Sequence, residues 1–140
     1  MSAAARGELT QAERDFLHEP RYGVLGTTNA NGSAHLTVMW YVLEGDEIMF
    51  NTAAGRKKPE NLTRDPRASL IVPDGYRFVR VDGTVRANDD QQVAQADIRK
   101  LAVRYYQSEE RAQRGVDAGW SKQHRITYRL SVRHVYSSGL

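Results

Sequence analysis

The 140 residues contain no cysteine. That absence excludes disulfides, thiol nucleophiles, iron–sulfur clusters and thiolate zinc sites together. No stretch approaches the roughly 20 apolar residues of a membrane helix, and the N-terminal Met1-Ser2-Ala3-Ala4-Ala5-Arg6 has no apolar signal segment. There is no internal repeat and no low-complexity linker. The expectation is a soluble cytoplasmic protein without a membrane partner, built as one domain over residues 1–140 with residues 1–9 flexible. A chain of this length buries roughly 68–70% of its unfolded surface, enough for a core without staples.

Several chemistries also lack their residues. His18, His35, His124 and His134 show no metal-ligand spacing, so no metal site is expected. No G-x-S-x-G elbow is present, and no residue is singled out as catalytic. Gly23-Val24-Leu25-Gly26 falls inside a strand pattern and serves close packing; a dinucleotide fingerprint would stand between strand and helix.

The net charge of +3 is unevenly spread. Residues 1–55 carry 3 basic and 7 acidic groups, residues 56–67 carry 5 and 2, residues 68–120 carry 8 and 8, and residues 121–140 carry 4 and none. A nucleic-acid binder would spread a basic stripe over a face. Here the densest cluster is Arg56-Lys57-Lys58, a size suited to a phosphate or a short acidic tail, so no nucleic-acid partner is expected.

Thr10-Gln11-Ala12-Glu13 is a capping box that opens a helix over residues 11–18, ended by Pro20. Tyr22 to Thr28 reads as a strand, and Asn31-Gly32 supplies a hairpin turn. The partner is a long strand, Ala34 to Leu43, alternating Leu36, Val38, Trp40 and Val42 on a core face with His35, Thr37, Met39 and Tyr41 on a face for a ligand or a subunit. Residues 48–52, 67–72 and 76–87 follow as strands, with a short helix holding Pro59 in its first turn between the first two. Asp89-Asp90-Gln91-Gln92 opens one long amphipathic helix with Ala94, Ile98, Leu101 and Tyr105 inward and Asp97, Arg99, Lys100 and Arg104 outward. A short helix plus loop spans residues 108–121. The last strand, 125–136, alternates Ile126, Tyr128, Leu130 and Val132 with a wet, basic face of Thr127, Arg129, Ser131 and Arg133. The fold class is mainly β with α: an antiparallel barrel of about six strands closed by the distant final strand, with a few short helices and one longer one.

The informative segment runs from Phe50 to Leu62. A strand delivers Asn51 and Thr52, Ala53-Ala54-Gly55 lets backbone approach a ligand, and a helix then starts among Arg56, Lys57 and Lys58. Helix N-terminal N–H groups with Arg and Lys form an anion site. The other reading is a solvated basic first turn, against which stands the unfavourable placing of cations at a helix N-terminus.

Leu25-Gly26-Thr27, the long strand to Tyr41, Phe50-Asn51-Thr52, and Arg56-x-Lys58-x-x-Asn61-Leu62-x-x-Asp65-Pro66-Arg67-Ala68-Ser69-Leu70 resemble the pyridoxamine-phosphate-oxidase-like split β-barrel flavoproteins. Within them the chain is most similar to the deazaflavin-dependent reductase branch, which uses coenzyme F420. The resemblance covers roughly residues 10–136. It implies a homodimer with the cofactor at the subunit interface, its phosphate on Arg56, Lys57 and Lys58 with Asn51, Thr52 and Asn61 nearby. The cofactor ring would lie against His35, Leu36, Thr37, Val38 and Met39, and Tyr76 and Phe78 match positions that approach the cofactor or its tail. Strand packing is the other reading of Tyr76 and Phe78, and an exposed strand histidine that of His35. The terminal Val135-Tyr136-Ser137-Ser138-Gly139-Leu140 lacks the Arg-Leu segment of true pyridoxamine-phosphate oxidases, which argues against vitamin B6 oxidation. The implied activity is hydride transfer from reduced F420 to a conjugated small molecule. The alternatives are an FMN-binding oxidoreductase, whose adjacent Arg-Lys pair Lys57 preserves, and a non-catalytic cofactor- or haem-binding protein of the same barrel. Arg129 and Arg133 are further candidates for the acidic cofactor tail.

Overall fold

The computed structural model describes residues 6–140. Seven antiparallel strands form one sheet: β1 (Gly23–Thr28), β2 (Ala34–Met39), β3 (Val42–Glu44), β4 (Glu47–Ala53), β5 (Arg67–Asp74), β6 (Arg77–Asn88) and β7 (Arg125–Ser138). The helices are α1 (Gln11–His18), α2 (Lys57–Arg64), α3 (Gln91–Tyr106) and α4 (Glu109–Ala118), with one 3-10 turn at Trp120–Lys122.

The sheet order is β2-β1-β5-β6-β7-β4-β3. Its two edge strands are consecutive in the chain and separated only by Trp40 and Tyr41. That link holds the ends of β2 and β3 within about 11 Å of each other. The sheet must therefore curl until its edges meet without pairing, which is a split barrel. β7 pairs with β6 on one side and β4 on the other, so the final strand joins the two halves as expected.

The expected long strand, residues 34–43, breaks at Trp40–Tyr41, and this makes seven strands where about six were expected. The burial is also opposite to the expected one, on both sides of the break. Leu36 and Val38 are 65% and 68% exposed, while Met39, Tyr41 and Leu43 are buried. Tyr41 is turned inward by its bonds: its N–H donates to Tyr105 Oη at 3.1 Å and its hydroxyl to the Leu17 carbonyl at 2.9 Å. The barrel core includes Leu25, Phe50, Leu70, Val79, Val81 and Leu130, with Phe16 and Leu17 of α1 packed against it.

The capping box forms: Thr10 Oγ1 accepts from the Glu13 N–H at 3.2 Å and Glu13 Oε1 accepts from the Thr10 N–H at 2.8 Å. Glu13 also accepts from Arg6 and, at 2.6 Å, from Ser137 Oγ. Burial pushes its carboxyl up, but these bonds outweigh it and hold the pKa below the usual value. Residues 6–9 are thus anchored: Arg6 bridges to Val135 and Leu9 enters the core. The expectation of flexibility for residues 1–5 lies outside the described residues.

α3 buries Ala94, Ile98 and Leu101 as predicted. Its supposed outer face is not simply solvated. Arg104 donates to the carbonyls of Leu17, His18, Glu19 and Tyr41 at 2.9–3.1 Å. It supplies the partners that the last carbonyls of α1 lack within their own helix. Asp97 accepts from Thr127 Oγ1 at 2.8 Å. The expected wet face of β7 therefore lies in part beneath α3, with Arg125 4% and Thr127 1% exposed. Among the described residues no helix is long and apolar enough to cross a membrane, and no cluster of metal-ligating side chains occurs.

Candidate functional site

β4 carries Asn51 and Thr52 to the barrel end, Gly55 turns the chain at φ +84°, and α2 begins at Lys57. The N-cap residue Arg56 offers no side-chain cap, so first-turn N–H groups of α2 lack that acceptor, and Pro59 at the third position has no N–H to satisfy.

Beside this segment lies a pocket of about 320 Å³. Asn51, Thr52, Arg56 and Lys58 line one side; Val38, Met39 and Trp40 enter from the β2–β3 link, Ile98 and Leu101 from α3, and Tyr22, Trp120 and Arg125 complete it. Arg125 was not foreseen. It arrives because β4 and β7 pair with Ala53 opposite Arg125 and Asn51 opposite Thr127. Its Nε donates to Asn51 Oδ1 at 2.9 Å and its Nη1 to Gln123 Oε1 at 2.6 Å, both neutral acceptors. Burial first, and then the charge of Arg56, lower its pKa to about 10. Lys58 is lowered as well, by burial and then by Arg56 and Arg125.

Arg56, Lys58 and Arg125 thus share one electrostatic neighbourhood, and none of them makes an ion pair among the described residues. Thr52, 2% exposed, has a buried hydroxyl with no hydrogen-bond partner. Arg56 is exposed, but Lys58 is half-buried and Arg125 buried; two such desolvated cations without a carboxylate, beside an orphaned hydroxyl, are unfavourable until an anion with acceptor oxygens enters. The residues fit a phosphate group. They offer no nucleophile–base pair, so redox chemistry here would have to come from a bound group.

The structure gathers Val38, Met39, Asn51, Thr52, Arg56 and Lys58 at the pocket. The other foreseen residues stand elsewhere within one chain. Lys57 lies 3.7 Å from Glu60, away from the pocket lining. Asn61 is fully buried and structural in its contacts, donating to Thr27 Oγ1 and Asn29 Oδ1 at 3.1 and 3.0 Å and accepting from Arg64 at 2.8 Å. Asn51 likewise spends both ends of its amide on Ala94, Thr127 and Arg125. His35 and Thr37 are half-buried in β2, next to the exposed Leu36. Tyr76 is fully exposed at the β5–β6 turn, and Phe78 is half-buried at the start of β6. Arg129 is held at 3.0 Å by Glu44 and faces a different recess, with Arg86 and Val93.

A larger groove, about 710 Å³, crosses β1, β2, β5, β6 and β7 and includes Leu36, Arg67, Asp82, Arg133 and His134. Its charges are balanced more locally: Arg67 pairs with Asp65 at 2.8 Å and Asp82 with Arg80 at 2.7 Å. Arg133, also in the groove, has no ion pair among the described residues but is exposed to solvent, whereas the smaller pocket leaves charge unpaired on the half-buried Lys58 and the buried Arg125.

A family sequence profile described as pyridoxamine 5'-phosphate oxidase matches residues 9–136. The chain belongs to this family. Among solved structures it is similar to an F420 reductase (22% identity, 91% of this chain and 98% of that one, TM-score 0.71). It is also similar to a conserved hypothetical protein of Mycobacterium tuberculosis (28%, 95% and 88%, TM-score 0.72) and to a haem storage protein of Vibrio cholerae (16%, 95% and 96%, TM-score 0.71). The likeness to the F420 reductase and the haem protein is one of fold. The family supports cofactor binding and oxidoreductase chemistry as the general class, and the site fits a phosphate group.

Proposed function

We propose that this family member is an F420-dependent reductase that works as a homodimer. The carrying observation is the pocket in which Arg56, Lys58 and Arg125 converge without a carboxylate beside the unpartnered Thr52 hydroxyl. In this reading Arg56, Lys58, Arg125 and Thr52 hold the cofactor phosphate, and Asn51 with Gln123 orients Arg125. Lys57, on the outer side of α2, meets more distant charges of the acidic tail, and Asn61 fastens α2 to the β1–β2 turn. The strand carrying His35, Leu36, Thr37, Val38 and Met39 backs the ring. Bound and reduced, a deazaflavin supplies a hydride to an electrophilic conjugated acceptor. The chain's own work is binding, orientation and exclusion of water.

The dimer is supported by β2, an edge strand with the large apolar side chains Leu36 and Val38 exposed, and by the exposed Tyr22 immediately before its neighbour β1. Exposed apolar edges of this kind mark association surfaces. Tyr76 and Phe78, which do not line the pocket of their own chain, serve the site of the second copy.

FMN is the second reading, favoured by the number of unpaired cations, which suits the doubly charged phosphomonoester of FMN. Anaerobic titration with each cofactor separates them. Tight F420 and weak FMN binding is the expected result; the reverse order selects FMN, and binding of neither sinks both.

A further inference from the structure

The chain has only two tryptophans, and both line the same pocket as Arg56, Lys58 and Arg125. Their rings meet edge to face, centroids 6.1 Å apart at 82°. Behind Trp40 the wall continues through Tyr105, stacked on it at 5.2 Å, to Tyr22, stacked on Tyr105 at 5.8 Å.

Trp120 stands on a prepared seat. A Cβ on Gly115 of α4 would lie 2.5 Å from Cη2 and Cζ3 of the indole, so only glycine admits the ring in this position. Glycine is otherwise disfavoured within a helix. The turn that carries Trp120 is fastened from α3: Gln95 Nε2 donates to the carbonyls of Trp120 at 2.8 Å and Gln123 at 3.0 Å. The same amide leaves its buried Oε1 without a partner. A helix glycine and an unsatisfied amide oxygen are both local costs, and both serve to fix one half-buried indole at the pocket.

We propose that Trp120 is a specificity-determining wall, stacking the planar ring of a ligand whose phosphate rests on Arg56, Lys58 and Arg125, with Gly115 as its positioning residue. The ligand class is a phosphorylated planar heteroaromatic. A single pocket then reads two features, charge at one end and flatness at the other. The inference rests on the cofactor reading above.

The test is calorimetric titration of wild type, Trp120→Leu, Trp120→Phe and Gly115→Ala with three probes: F420, FMN and inorganic pyrophosphate. Trp120→Leu and Gly115→Ala should weaken the planar ligand that wild type binds by about tenfold, Trp120→Phe should restore most of the affinity, and pyrophosphate should bind all four proteins alike. The pyrophosphate arm reports that the anion end is folded. Equal affinity of wild type and Trp120→Leu for the planar ligand overturns the inference while leaving the cofactor reading intact. FMN binding that depends on Trp120, without F420 binding, upholds the inference and removes F420. Loss of pyrophosphate together with the planar ligand assigns Trp120 to folding and overturns its role as a wall, as does a wild type that binds pyrophosphate and neither planar ligand.

Discussion

Arg125 and Arg129 lie four residues apart on the same strand and the same side of it, under the same helix, and they are treated in opposite ways. Arg129 meets Glu44 at 3.0 Å, and the same carboxylate accepts from Lys100. The guanidinium of Arg125, a residue 4% exposed, meets the amide oxygens of Asn51 and Gln123 and no carboxylate among the described residues, with two further cations close by. One arginine is neutralised where it stands; the other keeps its charge for something the chain does not contain. A desolvated guanidinium left without an acid destabilises the fold, and in the proposed function the cofactor phosphate supplies the missing counter-charge.

The sharpest way to break that comparison is Arg125→Met. Removing one charge-assisted contact to a phosphate should lower F420 affinity roughly 10- to 150-fold. Thermal stability should hold or rise, because a buried unpaired charge gives way to an apolar side chain. A fall in melting temperature without loss of binding would place Arg125 with Arg129 as a structural group.

Gln123→Glu tests the same idea without removing the arginine. It sets a carboxylate at the position of the 2.6 Å acceptor of Arg125. The pocket then carries its own counter-ion: stability should rise and F420 affinity should fall about tenfold, read by melting and titration on one sample.

A smaller effect is expected from pH. Burial, Arg56 and Arg125 hold Lys58 below the ordinary lysine value of 10.5. Between its lowered value and 10.5 the unfolded chain keeps a proton that the ligand-free fold has lost, so stability contributed by Lys58 rises with pH through that window. Phosphate affinity moves the other way, since the same step discharges a contact. Lys58→Arg should flatten the alkaline loss of F420 binding; an unchanged profile would show that Lys58 does not face the anion.

The smallest effect belongs to the paired end. Arg129→Met should leave F420 affinity unaltered and cost up to about 1 kcal/mol in a denaturant melt. Burial raises the Glu44 carboxyl, but its bonds from Lys100 and Arg129 outweigh this and lower its pKa. Its contribution is therefore present above the ordinary value of 4.5 and lost as pH falls through the lowered folded value. Arg129→Met should shrink that acid-side loss.

Local signals in the sequence were read most directly. Thr10 and Glu13 satisfy each other within one turn, and Arg56 to Lys58 sit where a strand becomes a helix, so both were visible without knowing the fold. Alternation in Leu36 and Val38 does not tell which face is the core, because an apolar face looks the same whether it meets a barrel core or a second chain; the inward side is the one whose Tyr41 bonds to Tyr105 of α3 and Leu17 of α1, residues distant in sequence. Arg125 could not be seen at all as a pocket residue. Its place depends on β4 pairing with β7 across more than 70 residues of chain. The +4 excess of residues 121–140 did signal a basic final strand, but it pointed to Arg129 and Arg133, and the acid that neutralises Arg129 comes from distant Glu44.

The claim that the unpaired charge of β7 is reserved for a cofactor phosphate is tested most directly by anaerobic calorimetric titration of F420 into wild type, Arg125→Met and Arg129→Met. The expected result is tight binding to wild type and Arg129→Met with at least about tenfold weaker binding to Arg125→Met. Equal affinity for all three proteins would contradict it.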